Sequence, residues 1–260
     1  MNLASPTVTT TGDGIARILA PTVPDGGSLA EAVSAMRQAV ATALESHTRV
    51  ETLVRTGDEL GQRVATWSGL QREGVLRGMP GPDGVPADRV VYARLSTDPP
   101  VDTPEGFRTL LNSFLPRKRG IGQLLVRDPG ERVLLCQLTY KTDWDLPGGV
   151  VEVGESPRLG VTREIEEELG LSLTAGELLL TDWLPPWSGW DDALCLVFDG
   201  GVHEAAITAS MVHEEREIRS VAFCTLEEVA ERCADFTARR VASALANVRG
   251  TGAAYTESGH

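Results

Sequence analysis

Glu164, Glu167 and Glu168 stand at i, i+3 and i+4, a spacing that places three carboxylates on one flank of a helix, where like charges repel. Arg163 lies four residues before Glu167 and can pair with it, but one guanidinium cannot neutralise three acids. A divalent ion can. Mg²⁺ and Mn²⁺ prefer carboxylate oxygens and keep positions open for water and for phosphate oxygens. Glu166 is offset by two residues from Glu164 and points elsewhere. Ahead of the acids, Pro147, Gly148 and Gly149 form a tight loop whose missing side chains let backbone groups come close to a ligand or metal. Together, loop and acids suit a diphosphate: metal ions bridge the phosphates and lower the pKa of an attacking water, and a further carboxylate takes that water's proton. The plainer account of Arg163 to Glu168 is a solvated, charge-laced helix face.

The acids need a helix under them, and the sequence punctuates one. Ser156 and Pro157 read as N-cap and first helical residue, and Gly170 falls just past the end, so a helix is predicted from Pro157 to Leu169. Val161, Ile165 and Leu169 recur every four residues and give it an apolar stripe for a core. Around it the sequence predicts strands at Ile121 to Val126, Arg132 to Leu138, Leu178 to Trp183, Ala193 to Phe198 and Ile218 to Phe223, with Val150 and Val151 after the glycine pair. A last helix begins after Thr225, where Thr225 and Glu228 form a capping box, and runs towards Val248.

The stretch GGVVEVGESPRLGVTREIEEELGL, Gly148 to Leu171, resembles the Nudix box: Gly, five residues, Glu, seven residues, Arg-Glu, an aliphatic, any residue, Glu-Glu, any residue, Gly and an aliphatic. Gly149, Glu155, Arg163, Glu164, Ile165, Glu167, Glu168, Gly170 and Leu171 meet every defined position. The resemblance implies an α+β fold, the Nudix α/β/α sandwich with a mixed sheet between helices, and hydrolysis of a nucleoside diphosphate linked to another moiety, with Mg²⁺ or Mn²⁺ as cofactor. It implies Glu164 and Glu168 as main metal ligands, Glu167 contributing, the Gly148 carbonyl as a further ligand, and Arg163 and Glu155 as supports. The family's base is variable. Glu214, Glu215 and Glu217 lie late enough to supply it, and Glu215 is the candidate carried forward. Gly149, Trp187 and Trp190 are candidate substrate contacts, although for the tryptophans core packing or loop anchoring is equally open. Pro186, some fifteen residues past the box, resembles a feature of ADP-ribose-cleaving members. Nucleotide sugars or ADP-ribose are the favoured substrates. The alternatives are an isoprenoid or other non-nucleotide diphosphate and a non-catalytic ligand-binding module.

The remainder of the chain carries less chemistry. A formal net charge of −13 over 260 residues argues against general nucleic-acid affinity, which needs Lys and Arg to neutralise phosphates; Arg117, Lys118 and Arg119 read as a solvated corner. Cys136, Cys195, Cys224 and Cys233 include no C-x-x-C pair and read as buried thiols of a reducing compartment. No export signal or membrane-length apolar run is visible, so a cytoplasmic protein with a small-molecule diphosphate as partner, and neither nucleic acid nor membrane, is expected. Residues 1–27 read as a flexible arm, 28–110 as a helical extension with a short strand, 111–250 as the hydrolase domain and 251–260 as a flexible tail. In the extension, Ser28 and Glu31 read as a capping box opening a long helix. Its stripe of Leu29, Val33, Met36, Val40, Ala43, Val50 and Val54 serves either its own domain or a homodimer seam through residues 29–54.

Overall fold

The computed structural model describes residues 6–19, 28–80, 84–211 and 216–260, and the chain divides into two compact units, Met1–Pro116 and Arg117–His260. The first unit contains β1 (Thr7–Thr10), β2 (Ala16–Leu19), α1 (Leu29–Leu44), β3 (Arg49–Arg55), α2 (Glu59–Trp67), β4 (Gln71–Pro80), β5 (Pro86–Leu95) and α3 (Pro104–Phe114). Its sheet has the order β1-β2-β3-β5-β4.

Two expectations are corrected here. Residues 7–19 are not part of a flexible arm: β1 and β2 pair antiparallel, and Ala16 and Ile18 are buried, which offsets the entropy of ordering a Thr-rich segment. The long helix stops at Leu44, capped by Glu45, and Arg49–Arg55 is a strand paired with β5. The apolar spacing misleads because Val50 and Val54, four residues apart, fit a strand face with Thr52 between them as well as they fit a helix. Thr52 is buried with its neighbours. The Ser28 hydroxyl accepts from the Glu31 N–H, so the cap is present. The stripe of α1 packs Met36, Val40 and Ala43 against Ile18, Val50 and Val90 of its own sheet. No continuous 29–54 seam exists, and the extension is a mixed α and β unit.

The second unit contains β6 (Arg119–Arg127), β7 (Val133–Leu138), β8 (Trp144–Asp145), β9 (Gly148–Val150), α4 (Pro157–Leu169), β10 (Leu178–Leu184), β11 (Ala193–Val202), a 3-10 turn at Ala205–Ser210, β12 (Ile218–Cys224), α5 (Leu226–Arg232), α6 (Asp235–Val248) and β13 (Tyr255–Glu257). The sheet runs β12-β7-β6-β11-β10-β13, with β8 on β7 and β9 on β6. It is mixed: β6 and β11 are parallel, whereas β10 and β11 are antiparallel. Side-chain alternation along buried strands sorts the core into two layers. Leu124, Val126, Leu134 and Cys136 meet Val161, Ile165 and Leu169 of α4. Leu125, Val133, Leu135 and Val197 meet Val229 of α5 and Val241, Ala244 and Leu245 of α6. This is the expected α/β/α sandwich.

The last helix is two, because Cys233 and Ala234 are extended between α5 and α6, and Cys233 bridges to Trp144. The tail is ordered as well: β13 pairs parallel with β10, giving Thr256 a buried place. All four cysteines are buried and free. Among the described residues no helix is long and apolar enough to cross a membrane.

Candidate active site

Helix α4 starts where the sequence places it. Ser156 caps it, its hydroxyl accepting from the Leu159 N–H at 3.3 Å, and Pro157 is the first residue. Packing of Val161 and Ile165 against β6 and β7 fixes the rotation of the helix, and that rotation turns the acids towards β9. The approach is close: a Cβ on Gly149 would stand 2.5 Å from Cδ of Glu164, so the Glu164 carboxyl rests in the space a side chain would fill. Gly148 has φ of +136°, a conformation that L side chains rarely adopt, and its backbone acts to lower the Glu168 pKa.

Arg163 holds the cluster from one side. Its Nε donates to Glu155 Oε1 at 3.0 Å and its Nη2 to Glu155 Oε2 at 3.2 Å. The same guanidinium reaches Glu164 Oε1 and Glu167 Oε2, each at 2.9 Å. Glu155 in turn accepts from the Glu152 N–H at 3.1 Å, tying the loop to the helix. Ion pairing with Arg163 lowers the Glu155 pKa, and the acids, Glu155 first, raise that of Arg163.

Beyond the reach of Arg163, Glu168 has no counter-charge among the groups that act on it. Burial raises the Glu164 pKa even though Arg163 opposes the shift. Glu168 is 7% exposed, and burial, with Glu164 and Glu217 adding repulsion, pushes its carboxyl up to about 8. Its Oε2 is buried without a hydrogen-bond partner among the described residues. Buried polar atoms of this kind are rare and call for a ligand. Among the described residues no three His, Cys, Asp or Glu side chains are gathered closely enough to hold a metal ion. Instead Glu164, Glu167, Glu168 and Glu217 line an open cleft with Tyr140, Gly148 and Gly149. An all-oxygen, surplus-anion donor set with an orphaned carboxylate oxygen fits a hard divalent cation that retains water.

A second cavity, of about 440 Å³, adjoins the acidic cleft, sharing Tyr140, Gly148, Gly149 and Val150 with it. Trp187 and Trp190, both partly exposed, line this cavity with Phe236, Arg119 and Arg240. They cross-link their own loop, Trp187 N–H donating to Trp190 O at 3.1 Å and Trp190 N–H returning to Trp187 O at 2.8 Å. Trp183 stands apart, donating through Nε1 to Asp192 at 3.2 Å.

The structure therefore brings Gly148, Gly149, Glu164, Glu167 and Glu168 together, with Arg163 and Glu155 behind them and Trp187 and Trp190 in the neighbouring cavity. Glu214 and Glu215 lie outside the described residues, whereas Glu217 of the same segment reaches the cleft. Sequence reasoning missed Arg119, which is not a solvated corner. Its Cζ sits 4.9 Å from the Trp190 ring centroid, and its Nη2 donates to Asp191 O at 2.9 Å. It also missed Arg240, Asp182 and Gln123, which are joined across long sequence distances. Arg240 Nε donates to Asp182 Oδ2 at 2.8 Å and Nη1 to Gln123 Oε1 at 3.3 Å. The only advance signal was a charged residue on the apolar face of α6.

Residues 116–245 match the model of the NUDIX domain. A MutT-like protein of Streptomyces ambofaciens is 33% identical over 129 residues, covering 48% of this chain and 75% of its own. The nucleoside triphosphatase NudI of Escherichia coli is 32% identical over 112 residues, 40% of this chain and 74% of its own. Among solved structures, a MutT protein from Methanosarcina mazei aligns with a TM-score of 0.40 at 24% identity, over 47% of this chain and 88% of its own. With half the chain matched by the family model, and the Streptomyces relative aligned over 75% of its own length, the chain belongs to the NUDIX family of hydrolases that act on diphosphates.

Proposed function

We propose that the protein is a Mg²⁺- or Mn²⁺-dependent hydrolase of a nucleoside diphosphate derivative, with nucleotide sugars and ADP-ribose as favoured substrates. The observation that carries the metal is the buried Glu168 carboxyl, whose Oε2 has no partner among the described residues and which faces further acids in place of a cation. Glu164 and Glu168 would hold the ion, with Glu167 and the Gly148 carbonyl contributing. When bound, the ion supplies charge neutralisation for the diphosphate and acidifies a water.

The chain's own residues do the positioning. Arg163 and Glu155 fix the loop and helix relative to each other, so that Glu164 stays against Gly149. Glu217 is the described acid of the late segment that lines the cleft and stands beside Glu215, which lies outside the described residues, as a candidate to accept the water's proton. Preorganisation of this kind, rather than covalent chemistry, is the main protein contribution to phosphoryl transfer. Nucleotide chemistry is supported by the aromatic cavity adjoining the acids and by the name of the Escherichia coli relative, a nucleoside triphosphatase.

The test is a panel of nucleotide sugars, ADP-ribose, nucleoside triphosphates and isoprenoid diphosphates, run with Mg²⁺, with Mn²⁺ and with chelator. Release of a nucleoside monophosphate that chelator abolishes is the expected result. Turnover surviving chelation removes the metal assignment. Turnover confined to isoprenoid diphosphates removes the nucleotide.

A further inference from the structure

Two arginines that line the cavity beside the acids each carry a buried nitrogen without a hydrogen-bond partner among the described residues. Arg240 is 1% exposed. Two of its nitrogens bond Asp182 and Gln123, and the third, Nη2, is buried with no partner among the described residues. Arg119 Nε is in the same condition. Both arginines line the one cavity. A buried donor without an acceptor costs free energy, and two in one cavity point to an occupant that supplies acceptors.

The chemistry of that occupant follows from charge and shape. The cavity and the carboxylate behind it hold Arg119, Lys141 and Arg240 against Asp145, Asp191 and Asp182, three cations and three anions. Lys141 pairs with Asp145 at 2.7 Å and Arg240 with Asp182 at 2.8 Å. A further anion would unbalance the set, whereas a neutral carbonyl oxygen takes N–H donors without adding charge. Trp187, Trp190 and Phe236 supply aromatic walls, which favour a planar ring. The cavity also shares Tyr140 and Gly148 to Val150 with the acidic cleft, so a single molecule can span both.

We infer that this cavity receives the base of the substrate and selects a ring bearing an exocyclic keto oxygen, read by Arg240 Nη2 with Arg119 Nε as the second donor. The assignment rests on the nucleotide reading above and narrows it to nucleotide sugars with a keto base, setting aside ADP-ribose, whose ring is adenine. Adenine presents an amino group where a keto ring presents an acceptor, and it would leave donors facing a donor.

Binding to the full chain, followed by quenching of tryptophan fluorescence in Mg²⁺, separates the two claims. Inosine monophosphate is compared with purine riboside monophosphate, which lacks the 6-keto oxygen, and with adenosine monophosphate. The keto nucleotide is expected to bind at least about tenfold more tightly than either. Arg240→Met should erase that preference, but it strands the Asp182 carboxylate in the core. Arg119→Gln, at a part-exposed position, is the companion variant and should reduce the preference severalfold. Equal affinity for the three nucleotides, or no binding by any, overturns the assignment. The panel of diphosphates reports separately: hydrolysis of nucleotides without keto preference in binding defeats the cavity assignment alone, and keto-selective binding without nucleotide hydrolysis defeats the proposed activity alone.

Discussion

Replacing Glu168 by Gln should make the metal-free protein more stable and the enzyme nearly inactive. Glu168 is 7% exposed, and its carboxyl, pushed up to about 8 from the ordinary glutamate value of 4.5, holds a proton in the folded protein that the unfolded chain has already released. Over that interval the folded state binds more protons than the unfolded one, so stability falls as pH rises from about 4.5 to about 8 and then levels. Converted at about 1.4 kcal/mol per tenfold, that elevation sets a ceiling of ~5 kcal/mol. Part of it belongs jointly to Glu164 and Glu217, so about 2–4 kcal/mol is the expectation. Gln keeps the shape and removes the charge. In chelator, the Glu168→Gln variant and the parent should melt alike at pH 5. At pH 9 the variant should melt higher by roughly 5–15 °C, read by scanning calorimetry on the transition of the second unit. Added Mg²⁺ should raise the parent and leave the variant unmoved, and turnover should fall by orders of magnitude. A variant that melts at or below the parent at pH 9 in chelator would show that this carboxylate is not the source of strain in the site, and the argument for a metal there would fail.

Gly149→Ala places a methyl group 2.5 Å from the Glu164 carboxyl carbon; kcat should drop about a hundredfold or more while circular dichroism shows the fold intact. Arg163→Lys keeps one charge but cannot serve Glu155, Glu164 and Glu167 together; the Mg²⁺ concentration for half-maximal rate should rise by about tenfold or more, measured by metal titration of activity. Asp182→Ala leaves Arg240 charged and unpaired in the core and should cost about 3–5 kcal/mol in urea unfolding.

How far the sequence reached depends on how local each constraint is. Helix α4 was legible because its cap, its first proline and its four-residue stripe all lie within fifteen positions, and the acids sit in that same stretch. The first unit was not, since Val50 and Val54 satisfy helical and strand spacing alike, and only pairing with β5, some forty residues on, decides between them. Nor could Arg240 be read as a site residue. Its partners Asp182 and Gln123 lie 58 and 117 positions away, and the one local signal, a charge on the apolar face of α6, names neither of them. Arg119 was misread for the same reason: a run of three basic residues looks solvated until a loop seventy positions later lays Trp190 across it.

The Asp182 carboxylate is also held by residues beyond α6, with Thr256 Oγ1 and the Gly259 N–H each donating to its Oδ1 at 2.8 Å. Thr256 and Gly259 thus anchor the carboxylate that in turn holds Arg240. Nicking the polypeptide near Ala254 would loosen that anchor while leaving the glutamates of α4 untouched.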